Sequence, residues 1–414
     1  MTEHNSGDRQ AFTRRGFLKT AGLLGAGAAF GGKTALALAA ESFEMPFANG
    51  RRSLVAFPQK RPLILLTTRP PQLETPFPIF NEGLLTPNDA FFVRYHLAQV
   101  PTSIDPEKFT LEVKGKVNSV TKFSLADLKK FEPVEIVSVN QCSGNGRGFS
   151  SPRVGGGQSG NGTMGNAKWK GARLKDVLNK AGVAAGARQV TFNGLDTGPL
   201  ERIPDFVKAL EVDHALDEDT LVAYEMNGEP LPMLNGFPLR LVVPGYYGTY
   251  WVKHLNEITV LDEEFKGYWM DPAYRVPDNT CACVEPGTVP KKTRPIGRFN
   301  VRSFVTSLSD GQKVKAGKEL KVRGIAFDGG YGMSQVLFSE DGGKGWREAE
   351  LGQDLGKYSF REWTIAFKPQ RAGSYEFKVK ATNRIGQSQP IEALWNPAGY
   401  MRNQVETTKV EAIA

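Results

Sequence analysis

The chain has 414 residues, 40% apolar and 23% charged, with 45 Gly and 26 Pro; these are values of a globular protein of two or three domains at roughly 150 residues each. They exclude a disordered or collagen-like chain, and no run approaches the ~20 apolar residues of a membrane span. A net charge of +8 without basic blocks interleaved with aromatics points away from nucleic acid and toward anionic small molecules or acidic proteins.

In residues 1–40, Thr13-Arg14-Arg15-Gly16-Phe17-Leu18-Lys19 precedes a weakly apolar Gly/Ala segment and then Ala35 to Ala40. A basic start, a short apolar run and small residues at a cleavage site describe an export signal. Its paired arginines read as a twin-arginine signal, which predicts a periplasmic protein. Removing these residues lowers Lys and Arg from 52 to 47 and Asp and Glu from 44 to 42, a mature net charge of +5.

Residues 41–285 mix short helical patterns with strand-like runs and predict an α+β domain. Ser124 before Leu125-Ala126-Asp127-Leu128 reads as a capped helix start. Leu174, Val177, Leu178 and Ala181 make one helix stripe, with Gly182 as its stop. Strands are expected at Glu135–Val139, Gln189–Phe192 and Leu239–Val243. Residues 286–297, with Pro286, Pro290 and Pro295 beside Lys291-Lys292, read as a linker. From 298 to 400 the pattern is strands alone. Trp363, Ile365 and Phe367, and then Tyr375, Phe377, Val379 and Ala381, alternate with polar residues, the period of half-buried antiparallel strands. Asp341-Gly342-Gly343 between Val336–Ser339 and Trp346–Glu348 is a hairpin signal. About seven such strands suggest an immunoglobulin-like β-sandwich, followed by a C-terminal tail at 401–414.

Residues Gly144 to Gly165 contain two overlapping G-x-G-x-x-G matches, at 155–160 and 160–165. A dinucleotide site needs a strand just before and a helix opening at the glycines. Ser151-Pro152-Arg153 and Lys170-Gly171 disagree with both, so the glycines are read as permitting close backbone approach to something bulky. Asn161-Gly162-Thr163 is a coincidental glycosylation sequon.

Chemistry concentrates at Cys142, just past a strand, in Gln141-Cys142-Ser143-Gly144-Asn145-Gly146-Arg147. A cation five residues on, Arg147, favours the thiolate, the form that binds soft metals or attacks substrates. Strand alternation in Phe91-Phe92-Val93-Arg94-Tyr95-His96 puts Arg94 and His96 on one face, and two arginines with a histidine near a thiolate make an anion pocket. With only four histidines and no Cys-His-Asn or Ser-His-Asp ordering, a protease-like triad is not expected. Cys281 and Cys283 are two ligands too few for a closed metal site, and a bridge between them would be tight; structural or redox-silent roles are expected.

Several motifs in one order resemble the sulfite oxidase family. They are Phe92-Val93-Arg94-Tyr95-His96, Gln141-Cys142-Ser143-Gly144-Asn145, Ala167 to Leu174, Tyr224-Glu225-Met226-Asn227-Gly228, Gly236-Phe237-Pro238-Leu239-Arg240, Val243-Pro244-Gly245, Val252-Lys253 and Leu394-Trp395-Asn396-Pro397. The likeness covers 60–405, and with the signal it is similar to bacterial periplasmic sulfite dehydrogenases. It implies a sulfite-oxidase-type molybdopterin domain followed by a dimerising sandwich.

The resemblance further implies a molybdenum–molybdopterin cofactor with Cys142 as the metal's one protein ligand. Phe92, Val93, Arg94, Tyr95, His96, Asp196, Asn235, Arg240, Trp251, Val252 and Lys253 would surround the pterin and its phosphate. Asn235 stands where animal members have histidine. Arg94, Arg147 and Tyr274 would bind sulfite, with His96 tuning the pocket. Animal members also carry an arginine where this chain has Ala398, and Arg402, one helical turn on, is expected to supply that missing cation. Without a Cys-x-x-Cys-His motif no haem is expected in this chain. Electrons would leave to a c-type cytochrome, as acceptor or subunit, with the protein a homodimer through the sandwich or a heterodimer with the cytochrome. Another sulfur substrate or oxyanion, a sulfane sulfur or nitrate, is the alternative that the Ser143 to Arg147 segment leaves open.

Overall fold

A computed structural model describes residues 42–414; the signal expected over 1–40 lies outside them. β-structure dominates, which corrects the α+β expectation. The longest α-helix among the described residues, Leu174–Ala181, has 8 residues, and the helix capped by Ser124 is one turn, Leu125–Leu128. Both start where the sequence places them, and the longer one stops there too. The Ser124 hydroxyl accepts from Asp127 N while Asp127 accepts from Ser124 N, and Gly182 takes φ 76° to end the longer helix, a conformation glycine adopts without a Cβ clash. The helical stripes are simply too short to form a layer.

Three sheets build the part before residue 285. The first runs in chain order through Ser42–Glu44, Arg51–Val55, Leu63–Thr67, Gln72–Glu74 and Val93–Arg94. In the second, Leu255–Leu261 pairs in parallel with Thr110–Gly115 and antiparallel with Gln189–Gly194. The third centres on Met164–Arg173, held between Pro133–Gln141 and Leu221–Met226, with Arg240–Val242 on the far side of Leu221–Met226. Pro133–Gln141 pairs with its neighbour over its whole length, ending at Gln141 opposite Met164. Its last four residues are buried, so the chain arrives at Cys142 fixed on both faces.

Residues beyond the linker form two facing sheets. One has the order Arg302–Val305, Leu320–Phe327, Arg361–Phe367, Glu350–Leu351; the other Gln312–Lys315, Glu406–Ile413, Gly373–Asn383, Met333–Ser339, Arg347–Glu348. Val322, Phe338, Trp363, Phe377 and Val379 fill the space between them. Gly324 makes room for the Trp363 indole, which a Cβ would meet at 2.3 Å.

Two boundaries need correction. The expected tail is the strand Glu406–Ile413, a full member of the sandwich between Gly373–Asn383 and Gln312–Lys315. Its Val410 and Ala412 are buried, a period-two signal lost among charged neighbours. The linker contains the strand Thr293–Pro295, which pairs with Arg275–Pro277. Upstream of it, Cys281 and Cys283 are joined in a disulfide, the bridge expected to be tight, and so hold a structural role. Ala282 takes φ 52°, which turns the chain back and leaves the two Cα atoms 5.1 Å apart, within the usual range for a bridge.

Candidate active site

A cleft opens between the ends of the first and third sheets and the Tyr274 turn, and strand alternation decides which residues of Phe91 to His96 reach it. Phe92, Arg94 and His96 line it. Val93 and Tyr95, one residue out of phase, bury themselves against Leu63 and Leu73. Cys142 faces the same space as the free cysteine, its amide donating to Thr163 O (2.9 Å) and its carbonyl accepting from Asn145 N (3.0 Å). Asn235, Arg240, Lys253 and Tyr274 complete the lining among the expected residues.

The cations are held without being neutralised. Arg240 is 4% exposed and lies between the indoles of Trp169 (5.1 Å) and Trp251 (5.6 Å). Its Nη1 donates to Asn235 O (3.0 Å), and burial lowers its pKa to about 9. Lys253 Nζ donates to Arg94 O (2.8 Å) over the Tyr95 ring; burial brings its pKa down to about 7, against the pull of Asp196. Asp196 is itself pushed up by burial. Val252 and Trp251 belong to the core behind this wall.

Tyr274 adopts φ 58°, a strained value for a residue with a Cβ and common at functional sites. Its hydroxyl shares a hydrogen bond with His96 Nε2, and its ring stacks on Tyr400. His96 is stacked flat on Phe206 at 3.7 Å. Burial, then Arg94, Lys253 and Lys208, hold its pKa well below 6.5, so the imidazole is neutral at pH 7.

Of the residues expected at the cofactor, Val93, Tyr95, Asp196, Trp251 and Val252 stand behind the lining, and two expected at the substrate, Arg147 and Arg402, are not brought into the cleft either. Arg147 begins a 3₁₀ turn, where its Nε donates to Ala398 O (2.9 Å) and its guanidinium lies 4.9 Å over the Tyr400 ring. It stays near the pocket but behind Tyr400. Arg402 is further removed: the segment around it is not helical, and its guanidinium binds Glu406 and covers Phe149. The expectation that it replaces the arginine absent at Ala398 fails on that geometry. The glycine-rich segment has no helix after it, only the strand Met164–Arg173. Glu74 accepts from Gly160 N (2.9 Å) and Gly162 N (2.8 Å), and this carboxylate is part of what the glycines admit so closely.

Several contributors carried no sequence signal. Lys60, 6% exposed, donates to Asn235 Oδ1 (2.5 Å), Asn88 O (2.5 Å) and Phe91 O (3.0 Å) and so fixes Asn235, whose Nδ2 donates to Phe92 O (3.1 Å). His254 donates from Nδ1 to Phe237 O (2.6 Å) and accepts from the Tyr95 hydroxyl at Nε2 (2.6 Å). Lys208 is buried behind Tyr274, its Nζ 5.2 Å from that ring, donating to Trp269 O. Only Lys208 interrupts an apolar run, Phe206 to Leu210, that would have flagged it.

Buried polar atoms without hydrogen-bond partners cluster at the cleft: both amide atoms of Asn140, Ser143 Oγ, Thr249 Oγ1 and Arg240 Nε. Native proteins leave few such atoms. Here they form a set of donors and acceptors suited to a polar heterocycle with an anionic end, beside a thiol suited to a soft metal.

The comparisons agree with that donor set. The family model of the oxidoreductase molybdopterin binding domain matches residues 96–269, and that of the Mo-co oxidoreductase dimerisation domain matches 293–412. Mitochondrial sulfite oxidase of Mus musculus is 34% identical over 373 residues, 86% of this chain and 67% of that one. Sulfite oxidase of Arabidopsis thaliana is 31% identical over 86% of this chain and 96% of its own. Nitrate reductase [NAD(P)H] of Hordeum vulgare is 30% identical over 82% of this chain but 41% of its own. The solved sulfane dehydrogenase SoxCD from Paracoccus pantotrophus superposes with a TM-score of 0.74 over 94% of both chains at 20% identity, a likeness of fold. Both domain models match in order, and the two sulfite oxidases each align with 86% of this chain. The chain belongs to the sulfite oxidase family of molybdopterin-binding oxidoreductases.

Proposed function

We propose that this protein oxidises sulfite to sulfate at a molybdenum–pyranopterin centre ligated by Cys142, and passes the electrons singly to an external c-type cytochrome. The observation that carries this reading is the cleft, with a free thiol at the end of a buried strand, ringed by orphaned polar atoms and overlooked by cations. When bound, the cofactor supplies a two-electron redox centre with an oxygen to transfer; overall, sulfite and water become sulfate, two protons and two electrons.

The chain's own residues do the rest. Lys253, brought down to about 7 by burial, gains charge beside a phosphate, and Arg240, still cationic at neutral pH with its pKa at about 9, is stabilised in that form, so each side of the contact stabilises the other. Arg94 on the cleft wall neutralises the anionic substrate. Neutral His96 leaves Nε2 free to hold the Tyr274 hydroxyl by accepting its hydrogen bond, and Phe92 and Phe206 exclude water from the same wall. Residues 1–40 would direct export to the periplasm through the twin-arginine pathway. The chain has no Cys-x-x-Cys-His, so the one-electron acceptor would be another protein meeting it at a weak polar contact. We read the sandwich as immunoglobulin-like and as the surface that pairs two copies or seats a cytochrome subunit.

A second reading keeps the cofactor and exchanges sulfite for a sulfane sulfur or nitrate. Arg147 favours it, because a guanidinium committed to Ala398 and Tyr400 leaves fewer charges for a dianion. Elemental analysis of the purified protein combined with sulfite-dependent reduction of cytochrome c separates the two. Stoichiometric molybdenum with rapid reduction is expected. Metal without sulfite turnover moves the reading to the second substrate class, and absence of metal in protein from a cofactor-proficient host overturns both.

A further inference from the structure

The sandwich reaches beneath the cysteine turn. Arg302, in the strand Arg302–Val305, has none of its surface exposed, an expensive place for a charge unless its N–H groups are used. Its Nη1 donates to Gln141 Oε1 (3.2 Å) and Asn145 O (3.4 Å), the residues on either side of the Cys142 turn. Its Nη2 donates to Asn161 Oδ1 (2.9 Å) in the glycine-rich loop and to Glu406 Oε1 (3.1 Å) in the last strand. One planar fork therefore fixes four acceptors from three stretches of chain, a geometry lysine cannot reproduce.

Two further ties run the same way. Met401 N donates to Ser143 O (2.9 Å), and Asn300 Nδ2 donates to Met401 O (2.8 Å). Gly146 leaves the needed space: it takes φ 84°, and a Cβ there would lie 3.0 Å from Asn161 Oδ1 and 3.2 Å from Arg402 Cδ. The turn over residues 141–145 is thus bracketed from below, and the backbone that carries the thiol cannot shift away without breaking a charge-assisted bond.

We propose that Arg302 is a positioning residue for Cys142, making the sandwich part of the active site's support as well as a dimerisation module. The functional meaning rests on the reading of Cys142 as the metal ligand; the measurement below does not. Cys142 is the one free thiol, since Cys281 and Cys283 are bridged, so alkylation of the full chain purified without cofactor reads that residue alone.

Iodoacetamide labelling followed by mass spectrometry compares wild type with Arg302→Met, Arg302→Lys and Glu406→Gln. Arg302→Met is expected to label at least about tenfold faster, the effect of losing one hydrogen bond to a charged group. Arg302→Lys keeps a charge opposite Glu406 without the fork; it should recover thermal stability while labelling stays fast. Labelling of Arg302→Met within about twofold of wild type overturns the proposal, and so does a lysine variant that restores both properties, since a merely structural cation would do that. Should Arg302→Met not fold, Glu406→Gln decides: a rise of about threefold or more supports the proposal and an unchanged rate overturns it. In the cofactor-loaded enzyme, Arg302→Lys should shift the thiolate-to-metal charge-transfer band. If Cys142→Ser leaves that band intact, the ligand reading fails while the labelling result stands.

Discussion

At the scale of single residues, the account turns on a thiol and the neutral and charged groups held around it. Cys142→Ser should abolish turnover in a protein that still folds, because a hydroxyl of similar volume is hard and poorly ionised; more than about a tenth of wild-type activity in a metal-loaded variant would contradict the assignment. His254 makes a prediction of a different kind. Burial holds its pKa at about 4, against 6.5 in the open chain, so below 6.5 the unfolded state binds the extra proton. This contribution is complete above pH 6.5 and is lost as pH falls from 6.5 to 4, roughly 3 kcal/mol in all. Glu74, raised by burial to about 7, works with the opposite sign, so the useful quantity is a difference between two proteins. The thermal midpoint of His254→Gln should fall less steeply than wild type over that range; parallel curves would refute the assignment. Cys142, Arg94, His96 and Tyr274 were legible in the sequence because motif order and alternation mark them. Lys60 and His254 were not, because they act across distant stretches of chain, Lys60 on Asn235 and His254 on Tyr95.

At the scale of elements, the glycine-rich segment shows what composition alone conceals. Its glycines are not equivalent. A Cβ at Gly162 would lie 2.0 Å from Thr75 O and 2.9 Å from Glu74 Cγ, whereas one at Gly155 meets nothing within 4 Å. Gly162→Ala should therefore cost about 3 kcal/mol or fail to fold, while Gly155→Ala should be close to neutral; thermal unfolding of the pair checks this, and equal midpoints would contradict it. A strand, Met164–Arg173, follows these glycines where a nucleotide fingerprint would open a helix, but the sequence could not name what approaches them. The strand Gly373–Asn383 was legible from alternation and the Leu174–Ala181 helix from its stripe, and the strand expected at Glu135–Val139 is the middle of Pro133–Gln141. Overweighting such short stripes produced the α+β expectation. The bridge between Cys281 and Cys283 was raised from the sequence but left open, because it depends on a positive φ at Ala282, which an alanine does not advertise.

At the scale of the whole molecule, the order of domains was visible as a switch from mixed patterns to strands alone near residue 298. What lay beyond sequence reading was how the sandwich serves the cleft: Arg302 and Glu406 look like an isolated cation and an acid in an alternating strand until the fold brings them under Cys142. The sandwich also exposes Ile385, Ile391 and Leu394, apolar surface that suits an interface. Sedimentation velocity should show a dimer of the 45.4 kDa chain or a complex with a cytochrome; a stable monomer at micromolar concentration would leave the dimerisation reading without support. The central claim, that Cys142 ligates molybdenum in this cleft, is tested most directly by X-ray absorption at the molybdenum edge on wild type and Cys142→Ser. The account predicts that the variant retains metal but loses one sulfur from its coordination. An unchanged sulfur shell in a fully loaded variant would contradict it.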